Sequence, residues 1–292
     1  MEWVILSLFS ALFFSFHDIL LKRKKLDYSE VMFNQYVVMF VVTLLMSSSL
    51  SIFIGYKLLF LLILKAIFMF TSLYLYFKMV QDYEVSLVAP LLNLSPIPLI
   101  LLSVMFLGEK LSFLQCLGII VCLSSVFLLE VIIHHHKHNK PHLYHFKKVL
   151  KNLDYLFIFK VFTILMSFSL ATFLDKIILK EIDVYTNLIF VSFFIIIALI
   201  VLYTFQGKKE VLKKSLKNYY LTFVSLIFLF SYIFVLKAVA IPTAYISLIT
   251  PVKRTSTLFT SLIGGILFHE KHLKAKIILV IMMLFGVMLM VI

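Results

Sequence analysis

Lys253 and Arg254 stand side by side inside an apolar run, from about Thr243 to Phe268, that is long enough to cross the hydrocarbon of a bilayer. A charge at that depth costs roughly 2.5 to more than 10 kcal/mol, so such residues face a protein interior or a wet cavity, where they bind an anion or pair with an internal acid. The planar fork of Arg254 suits a carboxylate or phosphate group. Pro251, just before the pair, lacks an amide N–H and disturbs the helix one turn back, which a membrane protein tolerates where neighbours or cavity water satisfy the freed carbonyl. The expected chemistry is recognition of a small anionic group.

Two acids invite comparison with these cations. Asp18 ends the first apolar run, four residues before Lys22, and Asp175 ends the sixth with no base at the equivalent spacing. Asp18 therefore has a local ion pair open to it. Asp175 is read as a cavity acid, a group titrating during ion-coupled exchange, or a counter-ion for Arg254. Elsewhere, His134, His135, His136, His138, His142 and His145 form a tract rich in the commonest transition-metal ligand. That tract gives a second reading, a divalent-metal transporter. Against it, Lys137, Lys140, Lys147 and Lys148 lie among the imidazoles and oppose a cation, so compositional bias in a solvated loop is the simpler account. Cys116 and Cys122 show no metal-ligand spacing, and His269-Glu270-Lys271-His272 brings its second His one residue too early for a zinc-protease helix. With no phosphate loop, nucleophile elbow or paired catalytic carboxylates, neither an enzyme nor a cofactor is expected.

The elements that must hold these residues follow from composition. The chain has 292 residues, 63% of them hydrophobic and only 14% charged, with a mean hydropathy of +1.09, far from the balance of a soluble domain. Its formal charge of +13 lies in short connections between apolar runs, which excludes a nucleic-acid reading. Apolar runs fall at about 3–21, 31–54, 58–80, 85–107, 112–133, 154–178, 184–205, 218–238, 243–268 and 273–292, each close to the length of a tilted span. The first precedes its basic cluster, the reverse of a cleavable signal. Loops after the odd-numbered spans hold most of the bases, among them Lys22, Arg23, Lys24, Lys25, Lys208, Lys209, Lys213, Lys214 and Lys217. The opposite face has only Lys57, Lys110, Lys176, Lys180 and Lys237, so the positive-inside rule puts both termini outside the cytoplasmic membrane.

The two halves repeat. One offset lays Pro90 on Pro251, Ser86 on Ser247, Ser95 on Ser256 and Gly108-Glu109-Lys110 on His269-Glu270-Lys271; a slightly shorter one lays Phe16, Asp18 and Tyr28 on Phe173, Asp175 and Tyr185. Five spans per repeat is odd, so the second copy enters from the other side. The expected fold is an all-α polytopic membrane protein of ten transmembrane helices in two inverted five-helix repeats, residues 1–133 and 154–292, joined by a His/Lys-rich loop at 134–153. In this frame Asn93 falls on Arg254, so the candidate binding residues are Lys253, Arg254, Asn93, Ser95 and Ser256, with Pro90 and Pro251 as hinges and Asp175 and Asp18 as coupling or counter-ion groups.

Phe16-His17-Asp18-Ile19-Leu20-Leu21-Lys22, Leu87-Val88-Ala89-Pro90-Leu91-Leu92, Gly108-Glu109-Lys110-Leu111-Ser112, Leu174-Asp175-Lys176-Ile177 and the stretch from Lys253 through Gly265 together resemble an EamA-type transporter of the drug/metabolite transporter superfamily. His269 departs from the glycine expected before Glu270. The resemblance implies a 5+5 inverted bundle around a central cavity and alternating-access transport of small organic solutes, facilitated or proton-coupled. It also admits a lipid-linked sugar flippase. The partners are then a small solute and the lipid bilayer, for a monomer or homodimer in the inner membrane.

Overall fold

The computed structural model describes residues 1–24, 27–47, 54–82, 93–138, 155–267 and 273–292. These form α1 (Glu2–Lys24), α2 (Tyr28–Met46), α3 (Tyr56–Asp82), α4 (Pro96–Phe106), α5 (Phe113–His138), α6 (Tyr155–Ile178), α7 (Val184–Phe205), α8 (Lys209–Lys217), α9 (Tyr219–Ala240), α10 (Ile246–Arg254), α11 (Ser256–Leu267) and α12 (Leu273–Val291), with no strand among the described residues. Six of them, α1, α2, α3, α6, α7 and α9, are long and apolar enough to cross a membrane, and α4, α5 and α12 contain shorter apolar helices.

Local chemistry sets several helix starts. Asp27 opens α2 by accepting the Ser29 N–H at 2.9 Å, and Asp183 opens α7 by accepting those of Tyr185 at 2.9 Å and Thr186 at 3.2 Å. Asn218 does the same for α9 through Leu221 N–H. Each side chain satisfies amides that have no carbonyl one turn back. Gly108 adopts a left-handed φ of 68° just past the end of α4, a conformation glycine takes without a Cβ penalty, and this turn delivers Glu109 to the interior.

Helix α1 lies along α9, α3 along α6, α2 on α7, and α5 on α12. The largest apolar core is shared by α2, α3, α6, α7 and α9, with Tyr36, Leu62, Ile178, Leu188 and Leu229 at its centre. A second core, around Cys122, Met283, Val252 and Leu258, joins α5 and α12 to α10 and α11. Phe9, Phe162, Phe223 and Phe285 project outward and leave apolar surface for lipid to cover.

Two expectations from the sequence need correction. The run from 243 to 268 is not one continuous helix: α10 ends at Arg254, and α11 begins at Ser256. Pro251 cannot donate to the Ser247 carbonyl, and the last turn of α10 instead tightens, with Thr255 N–H on the Val252 carbonyl at 3.1 Å. The second concerns the His tract, because α5 runs through His138 and the backbone of His134, His135 and His136 continues that helix. His142 and His145, like Pro90 and Glu270, lie outside the described residues.

Candidate functional site: a broken helix carrying two cations

Helix α10 is held at its start by one buried carboxylate. Glu109 accepts the backbone N–H groups of Ile246 at 2.8 Å and Ser247 at 3.2 Å, together with the Ser247 hydroxyl. The segment leading into α10 is held from the other side by Lys176, whose ammonium donates to the carbonyls of Val239 (2.9 Å), Ile241 (2.7 Å) and Ala244 (2.8 Å). A negative group at a helix start and a cation on the carbonyls ending α9 both complement the backbone dipoles. Glu109→Ala is expected to destabilise the protein by roughly 1–2 kcal/mol, with Glu109→Gln closer to wild type because it keeps an acceptor oxygen. Thermal unfolding of the three proteins in one detergent checks that order.

The far end of α10 presents the two cations, at the helix end where the backbone dipole favours positive charge. The Lys253 ammonium lies 5.6 Å from the centre of the Tyr232 ring and 5.8 Å from that of Phe14, and it borders a narrow cavity between α3, α6, α9 and α10. Arg254 meets other partners. Its Nη2 donates to the Ser95 hydroxyl and its guanidinium sits 5.5 Å from the centre of the Phe168 ring. Aromatic faces stabilise both without neutralising them. Among the described residues neither cation forms an ion pair.

Asp175 lines the same cavity as Lys253, but its ion pair is with Lys65 of α3. Lys65 also donates to Asn187 Oδ1 at 3.0 Å, and the Asn187 amide donates back to Asp175 Oδ1 at 3.0 Å, which closes a buried three-residue cycle of α3, α6 and α7. Both of these bonds to Asp175 use Oδ1. The pairing of Asp175 with Arg254 left open by the sequence is thus replaced by one with Lys65. The physical reason is position: the α3–α6 contact brings an ammonium onto the carboxylate, while Arg254 faces Ser95.

Asp18 contacts His17, its own neighbour, at 3.1 Å, and His17 Nε2 lies 2.6 Å from the Gln35 side-chain nitrogen. This arrangement fits a neutral imidazole that donates through Nδ1 and accepts through Nε2. Ser95, besides meeting Arg254, accepts the Ser169 hydroxyl on its carbonyl at 3.0 Å and so ties the start of α4 to α6. Ser256 is buried in the first turn of α11, and Asn93 begins the turn that enters α4. Pro251 is buried within α10, its carbonyl 3.5 Å from the Cys122 thiol.

The structure therefore joins Ser95 to Arg254 and Asp175 to the Lys253 cavity, and adds Lys65, Asn187, Tyr232 and Phe168, which the sequence did not rank. Lys65 carries the same kind of signal as Lys253 and Arg254, a cation inside an apolar run. Asn187 and the two aromatic residues carry none.

Comparison with known proteins agrees with this architecture. The EamA-like transporter family model matches residues 1–131. No curated protein matches the sequence. A solved structure titled only "Crystal structure of protein" has a similar fold, with a TM-score of 0.71 and 9% identity over 98% of this chain and 95% of that one. The EamA-like family consists of membrane transporters and not enzymes, which agrees with a bundle of long apolar helices whose outward faces require lipid. Residues 1–131 are thus similar to the EamA-like transporter family, and the long apolar helices agree with a multi-pass membrane protein.

Proposed function

We propose that the protein is a secondary transporter that moves small organic solutes bearing an anionic group across the cytoplasmic membrane by alternating access. The observation that carries this reading is the pair Lys253 and Arg254: two cations at the end of a half-helix, with no ion pair among the described residues, beside an acid already neutralised by Lys65. A buried charge left without a counter-ion is costly, and an anionic ligand removes that cost. Asp175 and Lys253 border one cavity, so a solute carrying both an amine and a carboxylate uses both charges.

Ten spans in two inverted halves, 1–133 and 154–292, are part of the proposal. Exchanging the halves turns the α1–α9 contact into the α6–α3 contact and maps α2–α7 and α5–α12 onto themselves, the relation expected of a repeat about a twofold axis. A discontinuous helix near the middle of such a bundle is a recurrent setting for transport sites. Glu109, from the first half, holds α10 of the second, so rocking of the halves loads that contact.

The test is a thermal-shift screen of purified protein against amino acids, their des-amino carboxylates and phosphorylated metabolites, followed by flux of any hit in proteoliposomes. A ligand of the folded state raises apparent stability by mass action. At least one anionic solute is expected to stabilise wild type and be transported, with both effects lost in Lys253→Gln and Arg254→Gln. Equal stabilisation and flux in the variants would overturn the assignment of the site.

A further inference from the structure

The short helix α8 between α7 and α9 has no place in the transport site. It is strongly two-sided. Val211 and Leu212 pack on the main core, while Lys208, Lys209, Lys213 and Lys217 are exposed. Its position is fixed by contacts with α2: Asn34 Nδ2 donates to the Ser215 carbonyl at 2.8 Å, Ser225 donates to Asn34 Oδ1 at 2.7 Å, and Lys214 pairs with Glu30 at 2.8 Å. That hydrogen bond and the field of Glu30 raise the Lys214 ammonium above its ordinary pKa, so Lys214 and Glu30 hold each other. The remaining lysines of α8 and its N-cap make no ion pair among the described residues.

Apolar side chains are exposed beside this charge. Phe205 is 88% exposed at the end of α7, Leu216 is 52% exposed on α8, and Tyr219 is 90% exposed at the start of α9. Phe205 and Tyr219 stand at the ends of two candidate spans, the level at which aromatic side chains gather, and Leu216 lies between them. The same end of the bundle holds Lys24, 4.1 Å from the centre of the Tyr220 ring, while the Tyr220 hydroxyl donates to the Leu20 carbonyl at 2.8 Å. Basic side chains above and apolar ones below are the two faces by which an amphipathic helix lies in a headgroup layer.

We infer that α8 is an interfacial platform for anionic phospholipid headgroups, with Lys208, Lys209, Lys213 and Lys217 meeting the phosphates and Leu216, Phe205 and Tyr219 entering the acyl boundary. A bilayer is favoured over a soluble polyanion because large exposed apolar residues, Phe205, Leu216 and Tyr219, flank the lysines in the chain. Lipid held there braces the α8–α2 contact through Asn34 and Glu30, so anionic lipid stabilises the whole bundle.

The test uses the full chain in detergent, with melting followed on adding phosphatidylglycerol or phosphatidylcholine in mixed micelles, and with retention of fluorescent phosphatidylglycerol measured in parallel. Phosphatidylglycerol is expected to raise the melting temperature more than phosphatidylcholine and to lose that advantage at high salt. Each Lys→Gln among Lys208, Lys209, Lys213 and Lys217 is expected to lower retention about fivefold. Lys57→Gln/Lys110→Gln, at the other end of the bundle, is the control and should retain lipid as wild type does. Equal loss in the control, unchanged retention in a variant carrying all four Lys→Gln changes at Lys208, Lys209, Lys213 and Lys217, or reproduction of the stabilisation by inorganic phosphate would each overturn the proposal. Flux is not part of the readout, so the result stands apart from that of the transport reading.

Discussion

Asp175→Asn is expected to destabilise the folded protein by roughly 3–5 kcal/mol, because it leaves the Lys65 ammonium buried without a counter-charge. Lys65 is 0% exposed and sits in the interior of α3, so neither snorkelling nor water can relieve it. Lys65→Met should cost a similar amount through the stranded carboxylate, reduced by whatever hydration Asp175 gains from the cavity. Replacing both together, as Lys65→Met/Asp175→Leu, removes the charges in one step, and buried pairs exchanged for apolar side chains of similar volume are commonly neutral or stabilising. Asn187 then loses both partners, which sets a residual penalty of about 1–3 kcal/mol. Melting of the four proteins in one detergent forms a double-mutant cycle. A strongly favourable coupling supports the ion pair; singles that melt like wild type would show that the two groups are not charged partners. The double variant also separates scaffold from site: if it folds but no longer responds to zwitterionic solutes, Asp175 contributes to binding beyond its structural pairing.

The outline of this bundle was readable in the chain, and the identity of its partners was not. Apolar runs separated by basic turns predicted membrane helices because the bilayer imposes one length on every span. The capping residues Asp27, Asp183 and Asn218 act within three residues of themselves, so that information is local. Lys253 and Arg254 were conspicuous for their cost. Glu109 stands in the sequence only as an acid shared by the two repeats, whereas its carboxylate holds Ile246 and Ser247, far along the chain. Lys176 was counted among the bases of one membrane face and is buried on three carbonyls. In both residues the charge was visible, but its partner depends on which helices pack together. The break at Thr255 was half-legible: Pro251 marked a disturbed turn, but one proline does not show whether a helix bends or restarts.

Gly286→Ala is expected to loosen α12 from α5, at a cost of about 1–3 kcal/mol. A Cβ at position 286 would lie 2.9 Å from the Gly118 carbonyl oxygen, 3.0 Å from the Cys122 nitrogen and 3.2 Å from Val121 Cγ1. At Gly118 it would lie 2.6 Å from the Gly286 carbonyl oxygen, so the two glycines face each other and neither backbone yields without separating the helices. Between membrane helices, lipid tails are as apolar as side chains, and association rests on this kind of close backbone approach. Gly118→Ala should therefore be the more damaging, and Gly286→Val more damaging than Gly286→Ala. Gly55→Ala supplies the control, since a Cβ there meets nothing within 4 Å. Among the described residues, α5 and α12 contribute no side chain to the Lys253 cavity, so a Gly286→Ala protein that melts early should still gain the same increment from a stabilising solute as wild type. Early melting with an unchanged increment identifies the crossing as scaffold. Loss of the increment would show instead that the α5–α12 contact sets the position of α10 through Val252 and Cys122, which pack in one core.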